Sequence, residues 1–350
     1  MQLVHGGDWA GYRAEYGHDA LDFSANVSPL GLPEGVAQAI TESLKTADRY
    51  PDPLCRALRE KLTAAEGVPA EQILCGNGAA DLIFRLVWAV KPHQALLPAP
   101  TFAEYAAALE TAGCKVKRYY ISEQRDFAVD DGYVDAIVPG MDMVFLCQPN
   151  NPTGQLAGPE LVRKIFTRCR EVGALLVVDE CFLDFLPEGE SLSAKPLLAE
   201  GGGLVILKAF TKLYGMAGVR LGYCLCGDRV LLDRMAAAGQ PWAVSGLAQA
   251  AGIAALDETE YVAAVRNLIE AERPKMTAGL RALGLRVVEG RANYLLFRAD
   301  ETLGETLREK GVVLRSCGNY PGLDGSWYRT AVRTAAENER LLKILGEVLG

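Results

Sequence analysis

Continuous apolar segments, rather than alternating ones, place the strongest constraint on how this 350-residue chain can fold. Residues 174–180 (ALLVVDE), 203–208 (GLVILK) and 220–226 (RLGYCLC) are apolar at nearly every position. A strand of this kind is buried on both faces, as happens when helices cover both sides of a parallel sheet. Helical patterns do lie between such strands, for example at 160–173, where Gly173 stands at the expected C-cap. The alternation predicts an α/β fold with a mostly parallel central sheet.

After the first two thirds of the chain the pattern changes, which predicts a second, smaller unit. The helical stretch 245–273 leads to Pro274, where we expect the helix to kink or break. Short strand patterns and a terminal helix follow, as in an α+β domain. Near the N-terminus, Pro29, Gly31 and Pro33 prevent a continuous helix. We predict three regions: an arm of residues 1–44 that also contributes to the small domain, a large domain of 45–235 and a small C-terminal domain of 236–350.

The charge balance and the cysteine pattern argue against several classes of protein. Lys and Arg number 36 against 44 Asp and Glu, a net charge of -8, which argues against non-specific nucleic-acid binding. No apolar run approaches the ~18 residues of a membrane span, and the N-terminus lacks the basic start and apolar core of a secretory signal. The nine cysteines show no paired zinc-binding spacing, so we expect no metal site and a reducing, cytoplasmic environment.

Three polar features follow predicted strands, at the edge where ligands of open α/β sheets bind. Residues 76–80 (GNGAA) join a strand to a helix N-terminus whose free amides favour a phosphate, although a simple Asn-Gly turn is an equal alternative. Asp179 ends an apolar strand and needs a cationic partner such as a ring nitrogen, unless it only caps the next segment. Asn150 and Asn151 follow a third strand, where an ordinary Asn-Pro turn is the more common explanation.

Lys212 lies in a glycine-containing turn (TKLYGMAG), with Arg220 eight residues further on. The chain has neither the glycine-rich dinucleotide fingerprint after a strand nor a P-loop, so a nucleotide is not indicated. A phosphate-binding helix N-terminus, a strand-end aspartate and a constrained lysine together indicate pyridoxal phosphate. The aldehyde of this cofactor bonds to a lysine amine, its ring nitrogen favours a carboxylate, and its phosphate favours a helix N-terminus.

Several motifs resemble the fold-type I pyridoxal-phosphate enzymes of aminotransferase class I/II, and the resemblance covers nearly the whole chain. These motifs are GNGAADLI, PTFAEY, QPNNPTG, VVDECFLDF and TKLYGMAGVRLGY. The resemblance implies the fold-type I transferase fold, in which the large domain binds the cofactor. Segments near both ends, including HGGDWA, LDFSANVSPLGLP and RANYLLFR, resemble the threonine-phosphate decarboxylases of cobalamin biosynthesis. Among the other families of this class, the histidinol-phosphate aminotransferases are the nearest to this pattern.

The resemblance implies a role for each residue that would bind the cofactor. Lys212 would hold the cofactor covalently and later return a proton to the substrate, and Asp179 would keep the ring nitrogen protonated. Phe102 would stack on the ring, and Asn151 would hydrogen-bond the ring oxygen. The cofactor phosphate would be bound by Gly78, Ala79, Ala80, Thr211, Arg220 and, from the second subunit of a homodimer, Tyr50.

The resemblance also implies a site for a small phosphorylated amino acid. Arg329 would hold the α-carboxylate, and Asn151 would lie beside the substrate. His5, Gly6, Asn26 and Arg315 would surround the substrate phosphate. Arg333 would add positive charge nearby, although a solvated strand arginine is the simpler interpretation.

The same cofactor chemistry supports decarboxylation and transamination, depending on which bond at Cα lies perpendicular to the ring. Phe182, also beside the cofactor, stands where the aminotransferase pattern commonly has a tyrosine, which favours the decarboxylase. We therefore expect decarboxylation of O-phospho-L-threonine, with O-phospho-L-serine as a close analogue, to give (R)-1-amino-2-propanol O-2-phosphate. An aminotransferase for a phosphorylated substrate is the first alternative, and a non-enzymatic cofactor-binding or regulatory protein is the second.

Overall fold

A computed structural model describes residues 5–350 of the chain, so residues 1–4 of the predicted arm lie outside the described part. The α-helices in this part are α1 Trp9–Tyr16, α2 Glu34–Ser43, α3 Arg56–Glu66, α4 Ala79–Val90, α5 Ala103–Thr111, α6 Asp131–Asp135, α7 Pro159–Val172, α8 Gly189–Leu192, α9 Phe210–Leu213, α10 Arg229–Ala237, α11 Gly246–Ala255, α12 Thr259–Ala282, α13 Leu303–Glu309 and α14 Ala335–Leu349.

The strands form one large sheet and two smaller ones. They are β1 Leu21–Asp22, β2 Ile73–Gly76, β3 Gln94–Ala99, β4 Lys115–Tyr120, β5 Met143–Cys147, β6 Leu175–Asp179, β7 Leu204–Ala209, β8 Gly222–Cys226, β9 Arg286–Val288, β10 Tyr294–Arg298, β11 Val312–Val313, β12 Arg315–Ser316 and β13 Trp327–Ala331. The large sheet has the order β2-β8-β7-β6-β5-β3-β4, and within it β8 alone runs antiparallel to its neighbours. The predicted α/β fold with a mostly parallel central sheet is confirmed.

The large sheet is buried on both faces because its strands are apolar at successive positions. In β6, Leu176 and Val178 belong to one core cluster and Val177 belongs to another. Helices α3, α7 and α11 contribute to the first cluster, and α4, α5 and α10 contribute to the second. Successive side chains of a strand point to opposite faces, so a continuous apolar run is what two helical layers require. This arrangement leaves the carboxyl ends of the parallel strands as the open edge of the sheet.

The small domain contains the antiparallel sheet β12-β13-β10-β9, covered by α12, α13 and α14. The N-terminal arm joins this unit through β1, which pairs in parallel with β11. Phe23, directly after β1, is fully buried in the same core cluster as Phe182, which follows β6. The arm and the small domain therefore pack together against the end of the large sheet. The boundaries predicted at residues 44 and 235 remain predictions.

Helix α12 does not break at Pro274, so of the expected kink or break only the kink remains a prediction. Helix α12 runs without interruption from Thr259 to Ala282, with Pro274 inside it. Pro274 and Glu270, whose carbonyl loses its usual amide donor, are both exposed, so water can satisfy that carbonyl. The predicted stretch 245–273 is instead interrupted between α11 and α12, around Asp257.

Candidate active site

A cavity of about 800 Å³ opens at the carboxyl ends of β5, β6 and β7, where the arm and the small domain meet the large sheet. It brings together most of the side chains that the sequence singled out. The predicted residues that line it are His5, Gly6, Asn26, Ala79, Ala80, Phe102, Asn151, Asp179, Phe182, Thr211, Lys212, Arg220, Arg315, Arg329 and Arg333. Gly78 lies directly beside this lining, and Tyr50 lies outside it.

One end of the cavity is suited to an anion. Helix α4 begins at Ala79, and no side chain caps its first amides. Gly78 has φ +85°, and a Cβ at this position would lie 2.7 Å from Nη2 of Arg220. Gly222 is equally confined, because its Cβ would lie 2.6 Å from the Ala79 amide nitrogen. Free amides at a helix N-terminus and an adjacent guanidinium form a phosphate-binding arrangement.

Lys212 lies on the short helix α9 after β7, in a backbone that the arm holds tightly. The Ser28 amide donates a hydrogen bond to the Lys212 carbonyl oxygen at 2.8 Å. A Cβ on Gly215 would lie 2.5 Å from the carbonyl oxygen of Gly31, so the turn after Lys212 requires glycine. The side chain is partly buried, and its Nζ lies 5.7 Å from the centre of the Phe182 ring.

The electrostatic surroundings favour a neutral amine at Lys212. Burial, together with the cations Arg329 and Arg220, lowers the pKa of the Lys212 ammonium to about 8. Burial removes the water that stabilises a charge, and the two guanidinium groups repel it. A lysine amine with a pKa near 8 acts as a nucleophile and exchanges protons near neutral pH, which an ordinary surface lysine does poorly.

Asp179 ends β6 as a buried carboxylate that hydrogen bonds hold in place. The Tyr105 hydroxyl donates to Oδ2 at 2.6 Å, and the Cys181 amide donates to Oδ1 at 3.0 Å. Tyr105 is fully buried, and this burial, followed by the negative charge of Asp179, raises the pKa of its hydroxyl well above the usual range. Because the Tyr105 hydroxyl stays protonated, it continues to donate a hydrogen bond to Asp179 and holds that carboxylate in one orientation in the cavity wall.

A buried network joins the two residues predicted to contact the substrate carboxylate and the cofactor oxygen. Arg329 donates from Nη1 to Oδ1 of Asn151 at 2.6 Å and from Nη2 to the Ser24 carbonyl oxygen at 2.8 Å. Its Nε has no hydrogen-bond partner among residues 5–350. Asn150 is turned away from this network and instead bonds Thr101 and the Pro100 carbonyl, which fixes the loop. The geometry leaves donor capacity on Arg329 for a ligand.

A second part of the cavity wall consists of the residues predicted for the substrate phosphate. Asn26 is buried, and both polar atoms of its side chain have no hydrogen-bond partner within the described residues. A buried, unpartnered amide in a cavity wall indicates a ligand-binding position. Arg315 donates from Nη2 to Oδ1 of Asn319 at 2.8 Å and lies over the Tyr320 ring at 5.3 Å. His5 reaches the cavity from the arm.

Arg333 differs from the solvated strand arginine that was the simpler interpretation. It lies two residues after β13, is half-buried, and its guanidinium pairs with Glu337 at 2.7 Å and donates to the Asp22 carbonyl oxygen at 3.1 Å. The small domain therefore already balances this charge with a carboxylate.

Tyr50 does not line the cavity of its own chain. Its side chain is 80% exposed and stacks on Trp242, with ring centres 4.5 Å apart. Trp242 is itself 45% exposed. These two rings form an exposed aromatic surface.

Sequence reasoning missed three residues that organise the cavity. Tyr105 fixes Asp179, Ser24 accepts from Arg329, and Glu104 lies 2.7 Å from His5. Glu104 and Tyr105 were present in the motif PTFAEY, three or fewer residues after Phe102, so the motif itself was the available signal. Ser24 lies in the equally prominent segment LDFSANVS, but a backbone carbonyl contact leaves no mark on the sequence.

The chain is similar in sequence to proteins of one known family. The sequence model of the family "Aminotransferase class I and II" matches residues 18–345. A threonine-phosphate decarboxylase of Salmonella typhimurium is 39% identical over 333 residues, covering 94% of this chain and 91% of that protein. A histidinol-phosphate aminotransferase of Desulfitobacterium hafniense is 35% identical over 341 residues, covering 95% and 92%.

A crystal structure of histidinol-phosphate aminotransferase from Sinorhizobium meliloti, in complex with pyridoxal-5'-phosphate, has the same fold. Its TM-score to this chain is 0.88 at 21% identity, covering all of this chain and 95% of that one. The predicted fold-type I architecture is thereby confirmed.

The residues of the cavity fit pyridoxal phosphate, the cofactor used in this family. The confined glycines beside Arg220 leave space for a phosphate at the α4 N-terminus. The fixed carboxylate of Asp179 suits a ring nitrogen, and the amine of Lys212 suits an aldehyde. None of the described residues 5–350 forms a group of His, Cys, Asp or Glu that could hold a metal ion. Within the same residues, no helix combines the length and apolar character needed to cross a membrane.

Proposed function

Because this chain belongs to the aminotransferase class I and II family and is a pyridoxal-phosphate enzyme, we propose that it decarboxylates O-phospho-L-threonine. The product would be (R)-1-amino-2-propanol O-2-phosphate, a side-chain precursor for cobalamin biosynthesis. The similarity to the Salmonella typhimurium threonine-phosphate decarboxylase, 39% over nearly the full length of both chains, supports this reaction.

Lys212 and Asp179 are the proposed catalytic residues. Pyridoxal phosphate, when bound, supplies an electron sink for the bond that breaks at the substrate Cα. Asp179, whose carboxylate Tyr105 keeps oriented, would hold a proton on the ring nitrogen. Lys212 would provide the amine that holds the cofactor and would later deliver a proton to Cα, for which its lowered pKa is suited. The cofactor phosphate is assigned to Gly78, Ala79, Ala80, Thr211 and Arg220.

The observation that carries the substrate assignment is the placement of Arg329 and the unpartnered amide of Asn26 in the wall of the same cavity as Lys212. Arg329, held by Asn151 and the Ser24 carbonyl, is assigned to the α-carboxylate. Asn26, whose buried amide is unpartnered within residues 5–350, is assigned to the substrate phosphate with His5, Gly6 and Arg315. A substrate with a carboxylate at one end and a phosphate at the other satisfies both groups.

The choice of the broken bond depends on how these groups orient the substrate. Decarboxylation requires the carboxylate, rather than the Cα–H, to stand perpendicular to the cofactor ring. Phe182 packs its ring edge against Tyr294 with centres 5.0 Å apart and offers no hydroxyl to the ring oxygen. The absence of a hydroxyl at this position, where the aminotransferase pattern commonly has a tyrosine, supports the decarboxylase over an aminotransferase.

An aminotransferase acting on a phosphorylated substrate is the second candidate. The 35% identity to a histidinol-phosphate aminotransferase favours it, because that similarity also extends over most of both chains. Transamination consumes a keto acid, whereas decarboxylation releases carbon dioxide and needs no second substrate. The two candidates therefore differ in what must be added to the reaction.

The active form would be a cytoplasmic homodimer. In this arrangement Tyr50, exposed beside Trp242, would reach the cofactor phosphate of the second subunit. A tyrosine that is 80% exposed in one chain has the freedom to contact a neighbouring chain.

Incubation of the purified holoenzyme with O-phospho-L-threonine, with and without 2-oxoglutarate, tests the proposal. We expect carbon dioxide and the phosphorylated amine in both tubes, at equal rates. Glutamate formed only in the tube with 2-oxoglutarate, without carbon dioxide, would establish the aminotransferase instead. A parallel tube with O-phospho-L-serine measures how far the substrate methyl group contributes to selectivity.

A further inference from the structure

His5 and Glu104 form a contact at the cavity that the cofactor chemistry does not explain. His5 Nε2 lies 2.7 Å from Oε1 of Glu104, although 99 positions separate the two residues. The side chain of Glu104 is 21% exposed and that of His5 is 48% exposed. Both residues line the cavity, and the His5 ring lies 6.0 Å from that of Phe102. The pair thus connects the N-terminal arm to helix α5, which begins directly after Phe102.

The arm holds the His5 backbone close to this position. The Gly7 amide donates to the Ser24 hydroxyl oxygen at 2.8 Å, and that hydroxyl donates to Asp22 at 2.6 Å. A Cβ on Gly6 would lie 2.4 Å from the Ser24 carbonyl oxygen, so the segment passes very near Ser24. With its backbone held on one side, the exposed His5 ring still turns about its own bonds unless a side chain fixes it.

We propose that Glu104 is a positioning residue that holds the His5 imidazole for the phosphate group of the substrate. The role rests on the proposed function, in which His5 contacts that phosphate. The Glu104 carboxylate accepts from Nε2–H of His5. In the imidazolium form both ring nitrogens are donors, so Nδ1–H is then available to donate to a phosphate oxygen. A ring whose one nitrogen is fixed by a carboxylate presents its other nitrogen in a defined direction, as in carboxylate-oriented histidines elsewhere.

Considered only as a negative charge, Glu104 would be expected to weaken phosphate binding rather than to support it. A carboxylate beside an anion-binding site repels the anion, so its removal would tighten phosphate binding if Glu104 had no other role. The position of Glu104 in the first turn of α5 partly compensates for this repulsion, because a helix N-terminus stabilises negative charge. The two roles therefore predict effects of opposite sign for the same substitution.

The test compares Glu104→Ala with Glu104→Gln in the holoenzyme, using calorimetric titration with inorganic phosphate and steady-state kinetics with O-phospho-L-threonine. For Glu104→Ala we expect the Kd for phosphate and the KM to rise about fivefold while kcat stays within about twofold, since the pair is partly exposed. Glu104→Gln retains an oxygen that accepts from Nε2, so both constants should stay within about twofold of the wild type. Glu110→Ala, an exposed glutamate of the same helix, is the matched control and should change neither constant.

A double-mutant cycle with His5→Asn distinguishes the role of Glu104 in positioning His5 from the role of His5 in binding phosphate. If Glu104 acts through His5, the double variant should bind phosphate no more weakly than His5→Asn alone. Unchanged or tighter phosphate binding by Glu104→Ala, or additive losses in the double variant, would overturn the positioning role. If His5→Asn also leaves phosphate binding unchanged, the assignment of His5 to the substrate phosphate fails as well, and the two failures are distinguished.

Discussion

Lys212 combines partial burial with two neighbouring guanidinium groups, and its lowered pKa has a consequence for stability in the cofactor-free protein. The unfolded chain binds a proton at this lysine up to about pH 10.5, whereas the folded chain releases it near pH 8. Between these values the unfolded state holds more protons, so stability rises with pH across this window. Below about pH 8 both states bind the proton, and the folded protein is destabilised by the full free energy that corresponds to the difference between the two pKa values.

We therefore predict that Lys212→Met stabilises the cofactor-free protein at pH 7. The methionine has a similar length and no charge to bury, and the advantage should shrink between pH 8 and pH 10.5 as the wild-type lysine loses its proton in the unfolded chain. Urea unfolding of both proteins at pH 7 and pH 10 measures it. Lys343→Met, at an exposed position of α14, is the control and should show no such pH dependence. Equal stability of Lys212→Met and wild type at pH 7 would contradict the electrostatic account.

At the scale of residues, the sequence predicted candidate groups for the chemistry but not the residues that hold them in place. Lys212 and Asp179 were proposed from motifs that resemble the family, Arg329 was implied by the same resemblance, and all three line the cavity. Their partners lie far away in the chain: Tyr105 is 74 positions from Asp179, and Ser24 is 305 positions from Arg329. Only the folded sheet and the docked arm bring such pairs together, so a single sequence contains no local signal for them.

Helix α4 shows how one element makes a binding site from its backbone. Its N-terminus needs a residue that tolerates φ +85° and leaves room for Arg220. We predict that Gly78→Ala raises the Kd for pyridoxal phosphate at least about tenfold, equivalent to ~1.4 kcal/mol, because the added methyl group displaces the guanidinium. Equilibrium dialysis of the cofactor measures the change.

Gly173→Ala is the matched control for backbone strain. Gly173 also has a positive φ, +78°, but a Cβ there would meet no atom within 4 Å. This variant should lose stability to a similar degree without weakening cofactor binding. Equal cofactor affinity in Gly78→Ala and Gly173→Ala would mean that the α4 N-terminus and Arg220 do not form the phosphate site.

The sequence predicts a helix or strand well where the element's own pattern of apolar residues determines its structure. Helix α4 begins at Ala79, where the sequence predicted a helix N-terminus, and β6 and β8 lie within the predicted apolar runs 174–180 and 220–226. Strand β7 overlaps the predicted run 203–208 and extends to Ala209, whereas β4, with its alternating charged residues, was not predicted. The region around α11 and α12 was less predictable, because α11 packs in the core of the large sheet whereas α12 packs in that of the small domain. The chain turns between these two cores near Asp257. Pro274 does not end α12, because the proline and the carbonyl that it deprives of a donor are both exposed to water.

At the scale of the whole molecule, the cavity depends on parts of the chain that lie far apart in sequence. The arm pairs with the small domain through β1 and β11, while Ser28 holds the backbone of Lys212. The predicted homodimer would add Tyr50 from a second subunit. If each site combines residues of two subunits, two chains with different inactivating substitutions should restore activity in a mixed dimer.

We predict that mixing Tyr50→Ala with Lys212→Ala restores activity that neither variant has alone. In a hybrid dimer, one site combines the intact Lys212 of the first chain with the intact Tyr50 of the second. Unfolding and refolding the two variants together, followed by the activity assay, should recover up to about a quarter of wild-type activity, since half of the dimers are hybrids with one complete site each. Activity that stays at the level of the separate variants would contradict a role for Tyr50 across the interface.

The central claim is that the carboxylate, not the Cα hydrogen, leaves the substrate. The most direct measurement uses O-phospho-L-threonine deuterated at Cα, with mass spectrometry of the phosphorylated product. Decarboxylation predicts a product amine that retains the deuterium and gains one solvent proton at the same carbon, without any keto acid. Loss of the deuterium to solvent, together with a keto product and glutamate, would show that the Cα hydrogen is removed and would contradict the account.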